Sequence, residues 1–176
     1  MSSPTCMQAY AYASGRPLVN TDRSGRTIDT SGAESDWQAA FSGLLLDRDV
    51  GYMFAALQSD QTVDCRVKFS TLPGLSAPNN GGAQTDANPQ SSASCGGSRT
   101  TGWQIEILYN PGFIQDYLNT YKGGLQYSAD AAFAHEVAHA YNDYIHDKRG
   151  YPSNGEAVAA ENAIRRSHGL PERVGH

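Results

Sequence analysis

The sequence predicts an α+β domain: a small sheet, an Ala-rich helix laid against it, and a second helix after that. Three observations predict it. Residues 62–69 and 103–109 alternate apolar and polar side chains, the period of a half-buried strand. Residues 36–49 carry Trp37, Ala40, Phe41, Leu44 and Leu45 at i, i+3, i+4, i+7 and i+8, an amphipathic helical stripe. No Gly or Pro interrupts residues 128–149, and alanines fill the first half of that run.

The totals narrow the classes. A chain of 176 residues has room for one domain with a real core. Net charge is -5 and no basic stripe stands out, which argues against nucleic acid as a partner. No apolar run reaches ~18 residues, so no membrane span is expected. The N-terminus has no charged region followed by an apolar core, so no classical signal peptide is expected. Cys6, Cys65 and Cys95 lack metal-pair spacing; Cys65 and Cys95 are either bridged or free.

Taken in order, residues 1–30 are polar and read as a leader or linker, with residues 31–176 as the folded domain. Ser35 or Asp36 is the expected cap of the helix over 36–49, with Trp37 and Phe41 in the core. Residues 50–58 form an apolar run that period alone assigns to neither strand nor helix. Residues 72–101 shift to Pro, Gly, Asn, Ser and Gln and read as a long loop, either flanking a cleft or inserted. The strand at 103–109 follows, with an expected open edge for an extended peptide. Asn110-Pro111-Gly112 turns the chain into a short helix over 113–121, which Lys122-Gly123-Gly124 breaks. Ser128 or Asp130 suits the start of the Ala-rich helix. Asn154 and Gly169 bound the last helix.

The chemistry lies in His135-Glu136-Val137-Ala138-His139. On a helix, residues four apart share a face, about 40° apart on the wheel, so both imidazoles can hold one Zn²⁺. Glu136 lies about 100° round from His135 and can reach a metal-bound water without being a ligand. This is the HExxH arrangement of zinc peptidases, two ligands and a general base. The plainer alternative is a pair of core histidines on a buried helix.

A catalytic zinc needs a third protein ligand and an open position. His146 would sit about 10 Å further along a continuous helix, too far to share the ion. A metzincin would need a Gly to break the helix and a His six residues after His139, and neither is present at those positions. Glu156 and Glu161 on the last helix remain, about 140° apart on the wheel, so only one of them is expected to bind. Tyr144, Tyr151, His168 and Arg173 are candidate oxyanion or substrate donors.

Two resemblances add to this. Residues His135, Glu136, His139, Ala140, Ala157, Val158, Glu161, Asn162, Arg165, Arg166, Gly169, Leu170, Pro171 and Arg173 resemble the zinc metallopeptidases of bacterial effectors and polymorphic toxins. The resemblance spans about residues 131–173. It implies a minimal zincin-like, gluzincin-type domain whose third ligand is Glu161, the acid of the family's Glu-Asn pair. The acid that relatives carry seven residues earlier is Asn154 here, which keeps Glu156 as the alternative. Residues 10–26, with Tyr10, Tyr12, Pro17, Asp22 and Gly25, resemble the end of the core of Rhs-repeat toxins, with Arg23 where Pro is usual.

Together they imply a secreted toxin or effector delivered by a bacterial secretion system. Its partners would be a target-cell protein substrate, an Rhs shell and an immunity protein. Other readings are a zinc amidase acting on cell wall or a small amide, and a non-catalytic module with structural zinc.

Overall fold

The computed structural model describes residues 28–60, 63–76, 81–93, 99–142 and 151–175. The order is β1 (Ile28–Gly32), α1 (Ser35–Leu45), α2 (Gly51–Ser59), β2 (Val63–Phe69), β3 (Ala83–Ala93), β4 (Arg99–Tyr109), α3 (Pro111–Tyr121), α4 (Ala129–Ala140) and α5 (Tyr151–Ser167). The strands form one mixed sheet in the order β1-β2-β4-β3. β1, β2 and β4 run parallel, and β3 is antiparallel to β4. The α+β class therefore stands. Apart from residues 28–30, the expected leader lies outside the described residues.

One face of the sheet is dry. Val63, Cys65 and Val67 of β2, with Ile105, Ile107 and Tyr109 of β4, are buried. Between them Asp64, Arg66, Lys68, Glu106 and the apolar Leu108 are half-exposed, with Arg66 paired to Asp64 and Lys68 to Glu106. That alternation is the period-2 pattern of a sheet wetted on one side.

Trp37 of α1 anchors the helical layer. It is fully buried and stacked on Tyr109 at 3.7 Å and Phe133 of α4 at 4.8 Å between ring centroids. Its indole N–H donates to Tyr127 Oη at 2.7 Å, so its one polar atom is satisfied. The stack joins α1, β4 and α4 at one point.

Residues 50–58 prove helical. Val50, Met53, Phe54 and Leu57 are buried at i, i+3, i+4 and i+7 around α2. Glu34, rather than Ser35 or Asp36, occupies the N-cap of α1 without a side-chain bond. Asn110 caps α3 by accepting from the N–H groups of Gly112 and Phe113, with Pro111 in the first turn. Ser128 caps α4 by accepting from Ala131 N–H at 3.3 Å. A wider π turn at residues 141–142 follows α4. α5 begins at Tyr151, so Asn154 lies inside it rather than at its cap. At its other end Gly169 has φ +67°, and Leu170 N–H donates to Arg165 O at 2.8 Å, a Schellman stop.

Two expectations fail. Residues 72–101 are not one long loop: β3 and the start of β4 run through them. β3 is an edge strand, and an edge tolerates Pro89 and its polar, weakly β-forming composition. The strand at 103–109 accordingly has no open edge, because β2 and β3 pair with it on both sides. Among the described residues the open edge near α4 belongs to β3. Cys65 is a free, buried thiol, pushed up to about 12 by burial and the neighbouring Asp64 charge.

Trp37→Ala should cost about 3–5 kcal/mol, because the vacated volume cannot collapse between three elements. At this chain length that lowers Tm by roughly 10 °C or more. Thermal denaturation followed by circular dichroism measures it.

Candidate functional site

A cleft of about 360 Å³ opens between β3, α3, α4 and α5. His135, Glu136 and His139 of α4 form its floor, and Thr85, Tyr117, Glu161 and Arg173 contribute to its walls. His135 and Glu136 are each only 6 % exposed. Four-residue spacing brings the two imidazoles together: Nε2 of His135 and Nε2 of His139 lie 3.2 Å apart, with ring planes at 69°.

That separation can be compared with metal geometry. Two Zn–N bonds of roughly 2.0–2.1 Å at a tetrahedral angle put the nitrogens about 3.3–3.4 Å apart. The pair therefore fits one zinc ion as two of its donors. Without a metal, the same contact could hold at most one proton between the nitrogens.

Glu136 points beside this pair. Thr85 Oγ1 donates to Glu136 Oε2 at 2.7 Å and lies 3.2 Å from the Glu136 carbonyl oxygen. Burial pushes the Glu136 carboxyl above its usual range, opposed by His135, Thr85 and Arg173. A carboxylate with raised proton affinity is suited to taking and returning a proton.

Glu161 reaches the same place from α5, but on the far side of the His135 ring. Its Oε2 lies 3.1 Å from His135 Nδ1, not from Nε2. Arg173 NH1 donates to Oε2 at 2.9 Å, and Arg165 Nε donates to Oε1 at 2.8 Å. Arg165 is 1 % exposed, so this is a buried network and not the solvent pair that i, i+4 spacing would suggest. Burial raises the Glu161 carboxyl, yet His135, Arg173 and Arg165 outweigh it and hold it at about 2. Among the described residues no three His, Cys, Asp or Glu side chains converge as a metal-binding group. A ligand role for Glu161 would require its carboxylate to move from the Nδ1 side of the His135 ring to the Nε2 side.

The other sequence candidates separate. Glu156 is exposed on α5 and does not line the cleft. His168 lies outside the cleft, with Nε2 3.5 Å from Asp130 Oδ2. Arg173 is in the wall, with its backbone gripped by Asn162: Arg173 N–H donates to Asn162 Oδ1 at 2.7 Å, and Asn162 Nδ2 donates to Arg173 O at 2.9 Å. Tyr144, His146 and the Tyr151 side chain lie outside the described residues. Thr85 and Tyr117 went unnoticed in the sequence. Thr85 sits in a low-complexity run, and Tyr117 reads as one aromatic of an amphipathic stripe.

Glu161→Gln leaves Arg165 buried with its charge uncompensated, which should cost about 3–5 kcal/mol. The pH dependence has a definite sign. A carboxyl ordinarily near 4.5 and held at about 2 when folded contributes stability above pH 4.5, and that contribution disappears as pH falls towards 2. Urea titrations between pH 6 and 2 should show this acid-linked loss in the native chain and a smaller one in the variant.

Compared with protein families, curated proteins and solved structures, the chain matches none of them.

Proposed function

We propose that the protein is a zinc-dependent peptidase that uses His135 and His139 as metal donors and Glu136 as general base. The observation that carries this reading is the pair of Nε2 atoms 3.2 Å apart beside a buried carboxylate in an open cleft. Bound zinc would supply Lewis acidity towards a carbonyl and lower the pKa of its water towards ~7.

The chain's own residues do the rest. Glu136 removes a proton from the attacking water and returns it to the leaving amine. Glu161 lies against Nδ1 of His135 and fixes the orientation of that ring, as carboxylates behind ligating histidines do. Two arginines keep Glu161 ionised and in place. Arg173 is the wall residue best suited to stabilise a developing oxyanion, since its guanidinium borders the cleft. An extended peptide fits the cleft by pairing with the open edge of β3, whose other side is occupied by β4. The resemblance to effector and toxin metallopeptidases supports a protein of a target cell as substrate and delivery by a secretion system, with an Rhs shell and an immunity protein as partners.

Two measurements test the reading. Equilibrium dialysis with metal analysis should find one zinc per chain, and His139→Ala should weaken its affinity by more than about 100-fold, beyond a typical outer-partner effect. Glu136→Gln should keep the metal and lose about 10²–10⁴-fold in peptide hydrolysis. New N-termini in a target-cell extract, absent with the Glu136→Gln protein, are the readout. A chain that binds no divalent metal under any loading condition would remove the reading.

A further inference from the structure

Among the described residues Thr85 is the hydroxyl that touches the Glu136 carboxylate, and its placement is built into the fold. Three residues earlier, Gly82 sits at φ +89° against the start of α3, where a Cβ would lie 2.2 Å from Ile114 N. No side chain fits there, so the backbone approaches α3 directly. Gly82 N–H donates to Leu75 O at 2.9 Å, and Gly82 O accepts from Asn110 N–H at 2.8 Å. From that pinned start, β3 enters the ladder with Ala83 opposite Tyr109 and Thr85 opposite Ile107. The register delivers the Thr85 hydroxyl to the side of α4.

We propose that Thr85 positions Glu136 for proton transfer by donating its hydroxyl to Oε2 and holding the carboxylate in one rotamer. This rests on Glu136 acting as base. A glutamate has three rotatable bonds, and a base must hold its oxygen within hydrogen-bond reach of the water it deprotonates. The Thr85 hydroxyl has one proton. At 2.7 Å from Oε2 against 3.2 Å from the main-chain oxygen, that proton belongs to the carboxylate. With Oε2 tethered, the second oxygen is the one presented to substrate water. Because Thr85 belongs to the strand whose edge is open, base and substrate strand share one rigid reference.

Three variants test it: Thr85→Val, which keeps the shape and puts a methyl where the hydroxyl was; Thr85→Ala, which removes both; and Thr85→Ser, which restores the donor. Crystal structures of the zinc-loaded proteins report the carboxylate position directly. Fluorescein-labelled casein reports hydrolysis, with metal content and Tm alongside. The expected result is that Glu136 leaves its rotamer in the Val and Ala variants and returns to it in Ser. Correspondingly, kcat should fall roughly 10- to 100-fold in Val and Ala with KM nearly unchanged, while Ser recovers most of the rate. Zinc content should be equal in all three.

A carboxylate that stays in place in both Val and Ala, or unchanged kcat in both, overturns the proposal while leaving the peptidase reading intact. If the carboxylate moves as expected but the zinc-loaded native chain cleaves neither casein nor any protein of a target-cell extract, the positioning contact stands and the peptidase reading falls.

Discussion

The Glu161 carboxylate is the contact on which the cleft depends. It is almost fully buried, and it receives two guanidinium groups and abuts one imidazole. Burying an ionised carboxylate is costly unless its oxygens are satisfied, and here both are. The three partners come from three places: α4, α5 and the segment after α5. One acid thus fixes the angle between the two helices, the orientation of a histidine ring, and the path of the chain at Arg173. Asn162 reinforces that path by holding the Arg173 backbone at both its N–H and its C=O.

Opposite this electrostatic wall stands a neutral one. Thr85 and Ala83 of β3 border the cleft, and Tyr117 of α3 completes it between the two. The Tyr117 ring also lies under the Arg173 guanidinium, 5.4 Å from its centroid, so the two walls meet there. The histidine pair lies between a side rich in charged groups and a side whose residues, Ala83, Gln84, Thr85 and Tyr117, are uncharged.

Elements with a strong period were legible in the sequence. The stripe of Trp37, Ala40 and Leu44, the alternation over Val63–Phe69 and the cap Ser128 all declare themselves locally. The pair His135 and His139 was legible for the same reason, because helical spacing alone decides which side chains face each other. Three things were not. β3 has a composition that suits loops, and only its pairing with β4 makes it a strand. Glu161 could be brought to the histidines by spacing, but spacing says nothing about which ring nitrogen it meets. That depends on the crossing of α4 and α5 and on Arg165 and Arg173 competing for its oxygens. Thr85 was invisible because its partner is 51 residues away and no local pattern marks it.

The order of strands in the sheet also bears on how the chain finds its shape. β3 and β4 are sequence neighbours, so their antiparallel pairing closes only a short loop and can form early. The parallel pairing of β2 with β4 must wait for a much longer loop to close, and that of β1 with β2 must accommodate α1 and α2 between them. A hairpin formed first would therefore present the free side of β4 to β2, and the Trp37–Tyr109 stack could assemble only once α1 arrived over that strand. By this route the aromatic centre closes only when α1 meets β4 and α4, and a chain emerging from a ribosome would keep it open until residues 99–140 had followed.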